Sequence, residues 1–129
     1  MKTSAWSPHL LSILRIMSAL LFLEHGTSKL LGVPASGMHW SFQATSLVGW
    51  SGIIEFIGGI LLALGLFTRF TAFILSGEMA VAYFTVHAPG GFFPLANKGE
   101  IAVLYCFVFL YLAVAGGGPW SLDRLRHRG

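Results

Sequence analysis

Residues 47–88 read LVGWSGIIEFIGGILLALGLFTRFTAFILSGEMAVAYFTVHA, which is two apolar stretches joined at the dipeptide Thr68-Arg69. A helix needs about 20 predominantly apolar residues to cross the hydrocarbon core of a bilayer, and each stretch is close to that length. Helices joined by so short a connection are expected to lie antiparallel and in contact. This segment therefore predicts a helical hairpin inside a membrane.

Two further apolar stretches flank this hairpin, one on each side. We predict four transmembrane helices, at about residues 10–31, 47–67, 70–88 and 100–116. The connections at 32–46 and 89–99 contain glycine and proline, which end helices, and a polar tail follows at 117–129. The predicted fold is an all-α integral membrane four-helix bundle that forms a single domain over residues 1–129.

The composition excludes several classes of protein. Hydrophobic residues make up 55% of the chain and charged residues only 10%, whereas soluble domains carry about 25% charged residues. The single cysteine, Cys106, excludes an intrachain disulfide and a dithiol redox pair. The net charge is +3, but the basic residues are too few on one face to bind nucleic acid. The expected partner is the lipid bilayer.

The distribution of lysine and arginine predicts the orientation of the helices. In the four-helix arrangement, two basic residues fall on one side of the membrane, Lys29 and Lys98. Five fall on the other side, namely Lys2, Arg69, Arg124, Arg126 and Arg128. Because positive residues favour the cytoplasmic side, we expect a multi-pass protein with both termini in the cytoplasm.

Charged residues inside the apolar stretches are the first candidates for function. An Arg or Asp at the centre of a membrane helix costs roughly 2.5–3.5 kcal/mol, so it is expected to have a partner. Arg15 has two expected partners in neighbouring spans, Glu55 and Glu78. One interpretation is a structural ion pair that fixes helix packing. In the other, the carboxyl group left without a partner carries a proton, which makes Glu55 and Glu78 proton-transfer candidates.

Further polar residues are expected near the outer ends of the helices. Our ligand-binding candidates are Arg15, His25, Lys29, Glu55, His87 and Glu100. No metal is predicted, because the spacing of His25, His87 and Glu100 does not demand one. A haem is disfavoured, since a lone histidine near a membrane surface more often serves as a hydrogen-bond donor. A quinone ring could stack on the aromatic residues of the fourth helix, although the residues alone do not identify a cofactor.

The order of the motifs resembles a known family. The first helix carries Arg15 and His25-Gly26-x-x-Lys29-Leu30-x-Gly32, and the second carries Glu55-x-x-Gly58-Gly59-x-Leu61-Leu62-x-Leu64-Gly65-Leu66-x-Thr68-Arg69. Later come Met79-x-x-Ala82 with His87, then Gly99-Glu100, then Gly118-Pro119-Trp120-Ser121-Leu122-Asp123. Together these motifs resemble the DoxX family over nearly the whole chain. The resemblance implies a small four-helix protein of the prokaryotic cytoplasmic (inner) membrane, similar to the membrane subunit of thiosulfate:quinone oxidoreductase.

Three hypotheses for the function follow. The resemblance implies a redox-associated, quinone-linked subunit or partner of a membrane oxidoreductase complex, with electrons supplied by a soluble or membrane redox partner. Whether the chain is an enzyme on its own is left open. The second hypothesis is a small transporter or channel that forms a homo-oligomer through Gly52, Gly59 and Ala63. The third is a membrane assembly factor that binds no ligand.

Overall fold

The computed structural model describes residues 3–31 and 47–127, and every regular element within these ranges is helical. A short 3₁₀ turn at Thr3–Ala5 precedes the first helix. In chain order, the helices are α1 (Ser7–Leu31), α2 (Leu47–Leu64), α3 (Thr68–Ala82), α4 (Pro94–Asn97), α5 (Glu100–Ala115) and α6 (Leu122–His127). The all-α membrane class predicted from the sequence is confirmed. The connection predicted at 32–46 lies outside the described residues.

The long helices carry the surface expected of a membrane protein. By length and composition, α1 and the segment Thr68–Gly90 can each cross a membrane. Helices α2 and α5 are apolar but shorter, with 18 and 16 residues, which correspond to lengths of about 27 and 24 Å. Large apolar side chains that face outward include Phe70, Phe73, Phe84, Leu104 and Phe107. This outward surface is suited to contact with acyl chains.

Glycines allow α1 and α2 to pack closely along their length. A Cβ atom at Gly26 would lie 2.6 Å from the backbone nitrogen of Phe56, and Cβ atoms at Gly52 and Gly59 would come within 3.0 Å of side chains of α1. Small residues let membrane helices approach one another in this way. The predicted contact between copies through Gly52, Gly59 and Ala63 is therefore wrong, because the glycines face α1 of the same chain and Ala63 packs against the core.

An aromatic cluster joins α1 to α5 in the middle of the bundle. The ring of Phe22 is buried and makes edge-to-face contacts with the rings of Phe109 and Tyr105, at centroid distances of 4.9 and 5.3 Å. Helices α3 and α5 are joined by a hydrogen bond of 2.8 Å from the hydroxyl of Ser76 to the carbonyl oxygen of Cys106. Cys106 therefore lies at a contact between helices.

The connection between α3 and α5 is more ordered than the expected loop at 89–99. Helix α3 continues through a π-helical turn at Tyr83–His87 and a 3₁₀ turn at Ala88–Gly90. The side-chain amide of Asn97, in α4, donates hydrogen bonds to the hydroxyl of Tyr83 at 3.1 Å and to the carbonyl oxygen of Gly91 at 2.9 Å. These bonds close the connection onto the end of α3.

Candidate functional site

A lysine and a glutamate form an ion pair between α1 and α2. The ammonium of Lys29 lies 2.9 Å from Oε2 of Glu55 and donates a second hydrogen bond, of 3.1 Å, to the hydroxyl of Ser51. Ser51 and Glu55 are four residues apart and therefore share one face of α2. The side chain of Glu55 is only 1% exposed, whereas that of Lys29 is 21% exposed. The pair thus connects a buried carboxylate to the end of α1.

A second carboxyl group, that of Glu78 on α3, lies beside this pair. Glu78 is near enough to Glu55 and Lys29 for the three charged groups to interact electrostatically. The Oε1 atoms of Glu55 and Glu78 are both buried and accept no hydrogen bond from any other residue that the structure describes. The two carboxyl groups are close enough to form a hydrogen bond with each other when one of them carries a proton. Buried polar atoms are nearly always hydrogen-bonded in proteins. Two buried carboxyl groups that have only each other as a partner for these oxygens therefore mark a candidate binding or proton-transfer site.

The register of the helices explains why these three residues meet. Gly26 packs against the backbone of Glu55 and Phe56, so the last turns of α1 lie beside the middle of α2. Helix α3 packs on the other side of α2, where a Cβ atom at Gly58 would lie 2.8 Å from a methyl carbon of Leu75. Glu55 is three residues before Gly58, and Glu78 is three residues after Leu75. Because α2 and α3 run antiparallel, both steps lead in the same direction, and Glu55 and Glu78 lie at the same level of the bundle.

Arg15 does not belong to this cluster, so its predicted pairing with Glu55 or Glu78 is wrong. Arg15 is 14 residues before Lys29, which places it about 21 Å away along α1. Its guanidinium is buried and donates hydrogen bonds to three backbone carbonyl oxygens, those of Leu62 (2.8 Å), Trp120 (2.7 Å) and Gly117. Leu62 is in the last turn of α2, where carbonyl groups lack partners within the helix and a cation is favoured.

Asp123, within the predicted polar tail, completes this end of the bundle. Its two carboxylate oxygens each accept a hydrogen bond of 2.8 Å, from the backbone N–H groups of Phe67 and Thr68 at the start of α3. Partial burial opposes ionisation, but these hydrogen bonds and the charge of Arg126 hold the pKa of Asp123 below its ordinary value. Helix α6 lies inside the stretch expected to be a polar tail, and Asp123 attaches it to the turn between α2 and α3.

The other predicted site residues lie at separate places. His25 is exposed on α1, with its ring 5.9 Å from the ring of Tyr105. The Nδ1 atom of His87 donates a hydrogen bond of 3.2 Å to the carbonyl oxygen of Asn97. Glu100 is exposed in the first turn of α5. Across residues 3–31 and 47–127, no group of three or more His, Cys, Asp or Glu side chains is arranged to hold a metal ion.

The sequence did not predict two features of the site. Lys29 and Glu55 are both ligand-binding candidates from the sequence, but the sequence did not predict that they pair with each other. Their pairing follows from Gly26 and Gly52, which set the register of α1 against α2. The carbonyl acceptors of Arg15 were missed because they are backbone groups at helix ends. That of Leu62 lies in the last turn of α2, and those of Gly117 and Trp120 belong to the irregular backbone after α5, where φ is positive at Gly116 and Gly118. The run of three glycines at 116–118 is the sequence signal that indicates this irregular backbone.

The fold and its buried charges define a small helical membrane protein, and comparison with known proteins assigns the family. The DoxX family matches residues 10–88, more than half of the chain, and the chain belongs to that family. It is 48% identical to an uncharacterized protein of Haemophilus influenzae, over 92% of this chain and 91% of the relative.

More distant relatives cover most of the chain as well. The inner membrane protein YqjF of Escherichia coli is 28% identical, over 90% of this chain and 91% of the relative. A Bacillus subtilis protein named "Putative oxidoreductase CatD" is 27% identical, over 91% of this chain and 87% of the relative. No solved structure matches. These relatives support a location in a membrane.

Proposed function

We propose that this DoxX-family protein is a quinone-linked partner of a membrane oxidoreductase complex, and that Lys29, Glu55 and Glu78 form its proton-transfer site. The observation that carries the proposal is the adjacent, buried carboxyl groups of Glu55 and Glu78 beside one lysine, with no other described donor to their Oε1 atoms. One positive charge and two carboxyl groups in a bilayer favour a single net proton held between the carboxyl groups. The name of the Bacillus subtilis relative also supports a redox role.

Each residue has a distinct task in this proposal. A quinone takes up two electrons and two protons on reduction to a quinol, and a separate redox protein supplies the electrons. Glu78 holds the proton that is delivered, because Glu55 is already paired with Lys29. Lys29 pairs with Glu55 through a hydrogen bond of 2.9 Å. Its partly exposed side chain gives protons a route between the buried carboxyl groups and the end of α1.

The proposal includes a topology. Helices α1, α2, α3 and α5 would each cross the cytoplasmic (inner) membrane, with both termini in the cytoplasm. The ion pair would then lie in the outer half of the bundle, and the Arg15–Asp123 end would face the cytoplasm. Labelling of single cysteines introduced at Lys98 and Arg124, in a Cys106→Ser background, tests this. We expect an impermeant reagent to label position 98 from the periplasm and position 124 only after the cells are opened.

The experiment for the function is quinone binding by the purified chain. A short-chain ubiquinone or menaquinone analogue is titrated into protein in a neutral detergent, and gently extracted protein is assayed for bound quinone by mass spectrometry. We expect saturable binding that is weakened at least tenfold in Glu55→Gln and Lys29→Met. The matched control is Glu24→Gln, because Glu24 is an exposed carboxylate on the same helix as Lys29.

The proton-transfer role of Glu78 is tested separately. Glu78→Gln preserves the size and polarity of the side chain but cannot release a proton. We expect it to bind the quinone analogue nearly as well as the unmodified chain, while the infrared band of a protonated carboxyl group disappears. Absence of saturable quinone binding in the unmodified chain would overturn the proposal. Proton flux into proteoliposomes in the absence of quinone, lost in Glu55→Gln, would replace it with a transporter.

A further inference from the structure

A basic and aromatic surface covers the end of the bundle opposite the ion pair. We define this end surface as Arg124, Arg126, Leu125, Phe67 and Trp120. We propose that the end surface binds the headgroups of anionic phospholipids. The inference does not depend on the proposed redox function, because it uses other residues at the other end of the molecule.

The end surface is held in a fixed position. Asp123 binds the backbone N–H groups of Phe67 and Thr68, and the N–H group of Asp123 donates a hydrogen bond of 2.9 Å to the carbonyl oxygen of Gly65. Arg15 holds the carbonyl oxygen of Trp120. Helix α6 is therefore attached to the turn between α2 and α3 and to the start of α3, and the segment just before it is attached to α1.

Charge and exposure on the end surface match a lipid headgroup layer. Phe67, Trp120 and Leu125 are 51%, 52% and 67% exposed, and the guanidinium carbon of Arg126 lies 4.7 Å from the centroid of the Phe67 ring. Within the described parts of the chain, no carboxylate lies at ion-pair distance from Arg124 or Arg126. Arginine binds phosphate through several donors at once, and exposed aromatic side chains favour the membrane interface.

The end surface is also continuous with the surface that contacts acyl chains. Phe70, one turn after Phe67 on α3, is 71% exposed and belongs to that outward apolar surface. A phospholipid with its acyl chains against Phe70 would therefore have its phosphate near the level of Arg126. This continuity favours a membrane lipid as the occupant over a soluble anion or a protein.

The test uses the full chain, stripped of lipid in a neutral detergent. It is titrated with phosphatidylglycerol or phosphatidylcholine, and the bound lipids are counted by native mass spectrometry. We expect phosphatidylglycerol to bind on the order of tenfold more tightly, and we expect the preference to shrink as salt is raised. Equal binding of the two lipids would overturn the proposal, as would competition by inorganic phosphate at millimolar concentration, which would indicate a site for a free anion.

Variants assign the preference to the end surface. The double variant Arg124→Gln/Arg126→Gln should lose the preference, whereas Arg124→Lys/Arg126→Lys should keep most of it because both charges remain. The matched control is Lys98→Gln, which removes one exposed charge from the opposite end of the bundle. Persistence of the preference in the glutamine double variant, or its loss in Lys98→Gln, would refute the assignment. Far-ultraviolet circular dichroism checks that each variant remains helical.

Discussion

Replacement of Arg15 by methionine should destabilise the bundle without affecting the ion pair at the other end. Methionine keeps the apolar part of the side chain but removes the hydrogen bonds from Arg15 to three carbonyl oxygens. The oxygens of Leu62 and Gly117 each keep one other donor, the N–H of Gly65 and the hydroxyl of Ser12. A hydrogen bond from a charged group contributes about 1.5–3 kcal/mol. Because the Trp120 acceptor is only partly buried, we assign most of the effect to Leu62 and Gly117. The expected loss is about 4 kcal/mol.

The assay is unfolding in mixed micelles, followed by circular dichroism as the fraction of denaturing detergent is raised. Arg15→Lys should lose about 2 kcal/mol, because a lysine ammonium cannot reproduce the planar fork of a guanidinium. Arg124→Met, at an exposed arginine, is the control and should change stability by less than about 0.5 kcal/mol. If Arg15→Met lost under 1 kcal/mol, or if it abolished quinone-analogue binding at unchanged stability, the assignment of Arg15 to structure alone would be refuted.

Three further predictions concern helix packing, the ion pair and pH. Gly26→Ala should destabilise by about 1–3 kcal/mol in the same assay, because its Cβ meets the backbone of α2, whereas Gly77→Ala, with open space around it, should be neutral or slightly stabilising. Lys29→Met should cost about 3 kcal/mol, but the double variant Lys29→Met/Glu55→Leu should cost much less, and equal losses would contradict a direct pairing. The hydrogen bonds that lower the pKa of Asp123 stabilise the attachment of α6 at any pH above the ordinary aspartate pKa of about 3.9. This stabilisation should disappear as the pH falls through the lowered pKa, and limited proteolysis across this pH range should show the release of α6. Asp123→Asn should remove the pH dependence.

Much of the fold follows from hydropathy alone. Runs of apolar residues long enough for a membrane, broken by glycine and proline, predict helices in the right parts of the chain. Their bounds and register depend on contacts that hydropathy does not contain. Helix α3 begins at Thr68 because Asp123, far away in the sequence, binds the N–H groups there. The position of α1 against α2 depends on Gly26, which hydropathy treats as a neutral residue.

The same limit applies to the candidate site. The rule that buried charges need partners selected Arg15, Glu55 and Glu78 as candidates, but it considered only opposite charges as partners. Arg15 is satisfied by backbone carbonyl groups, which every residue carries and which become available wherever a helix ends. The partner of each buried charged side chain therefore depends on where the helices end and how they are aligned. Neither can be predicted from the identity of the charged residue.

The hydrogen bond between Arg15 and Gly117 joins residues that are 102 positions apart in the chain. During synthesis, Arg15 therefore enters the membrane long before its acceptors have been made. Arg15 is eight residues after the start of α1, about 12 Å from that end. Over this distance the side chain of Arg15 can extend toward the headgroups, which keeps its charge hydrated until residues 117–120 have been made. Capture of the guanidinium by residues 117–120 would then be a late step of assembly, because the Arg15 end of the bundle cannot close until these residues have been made.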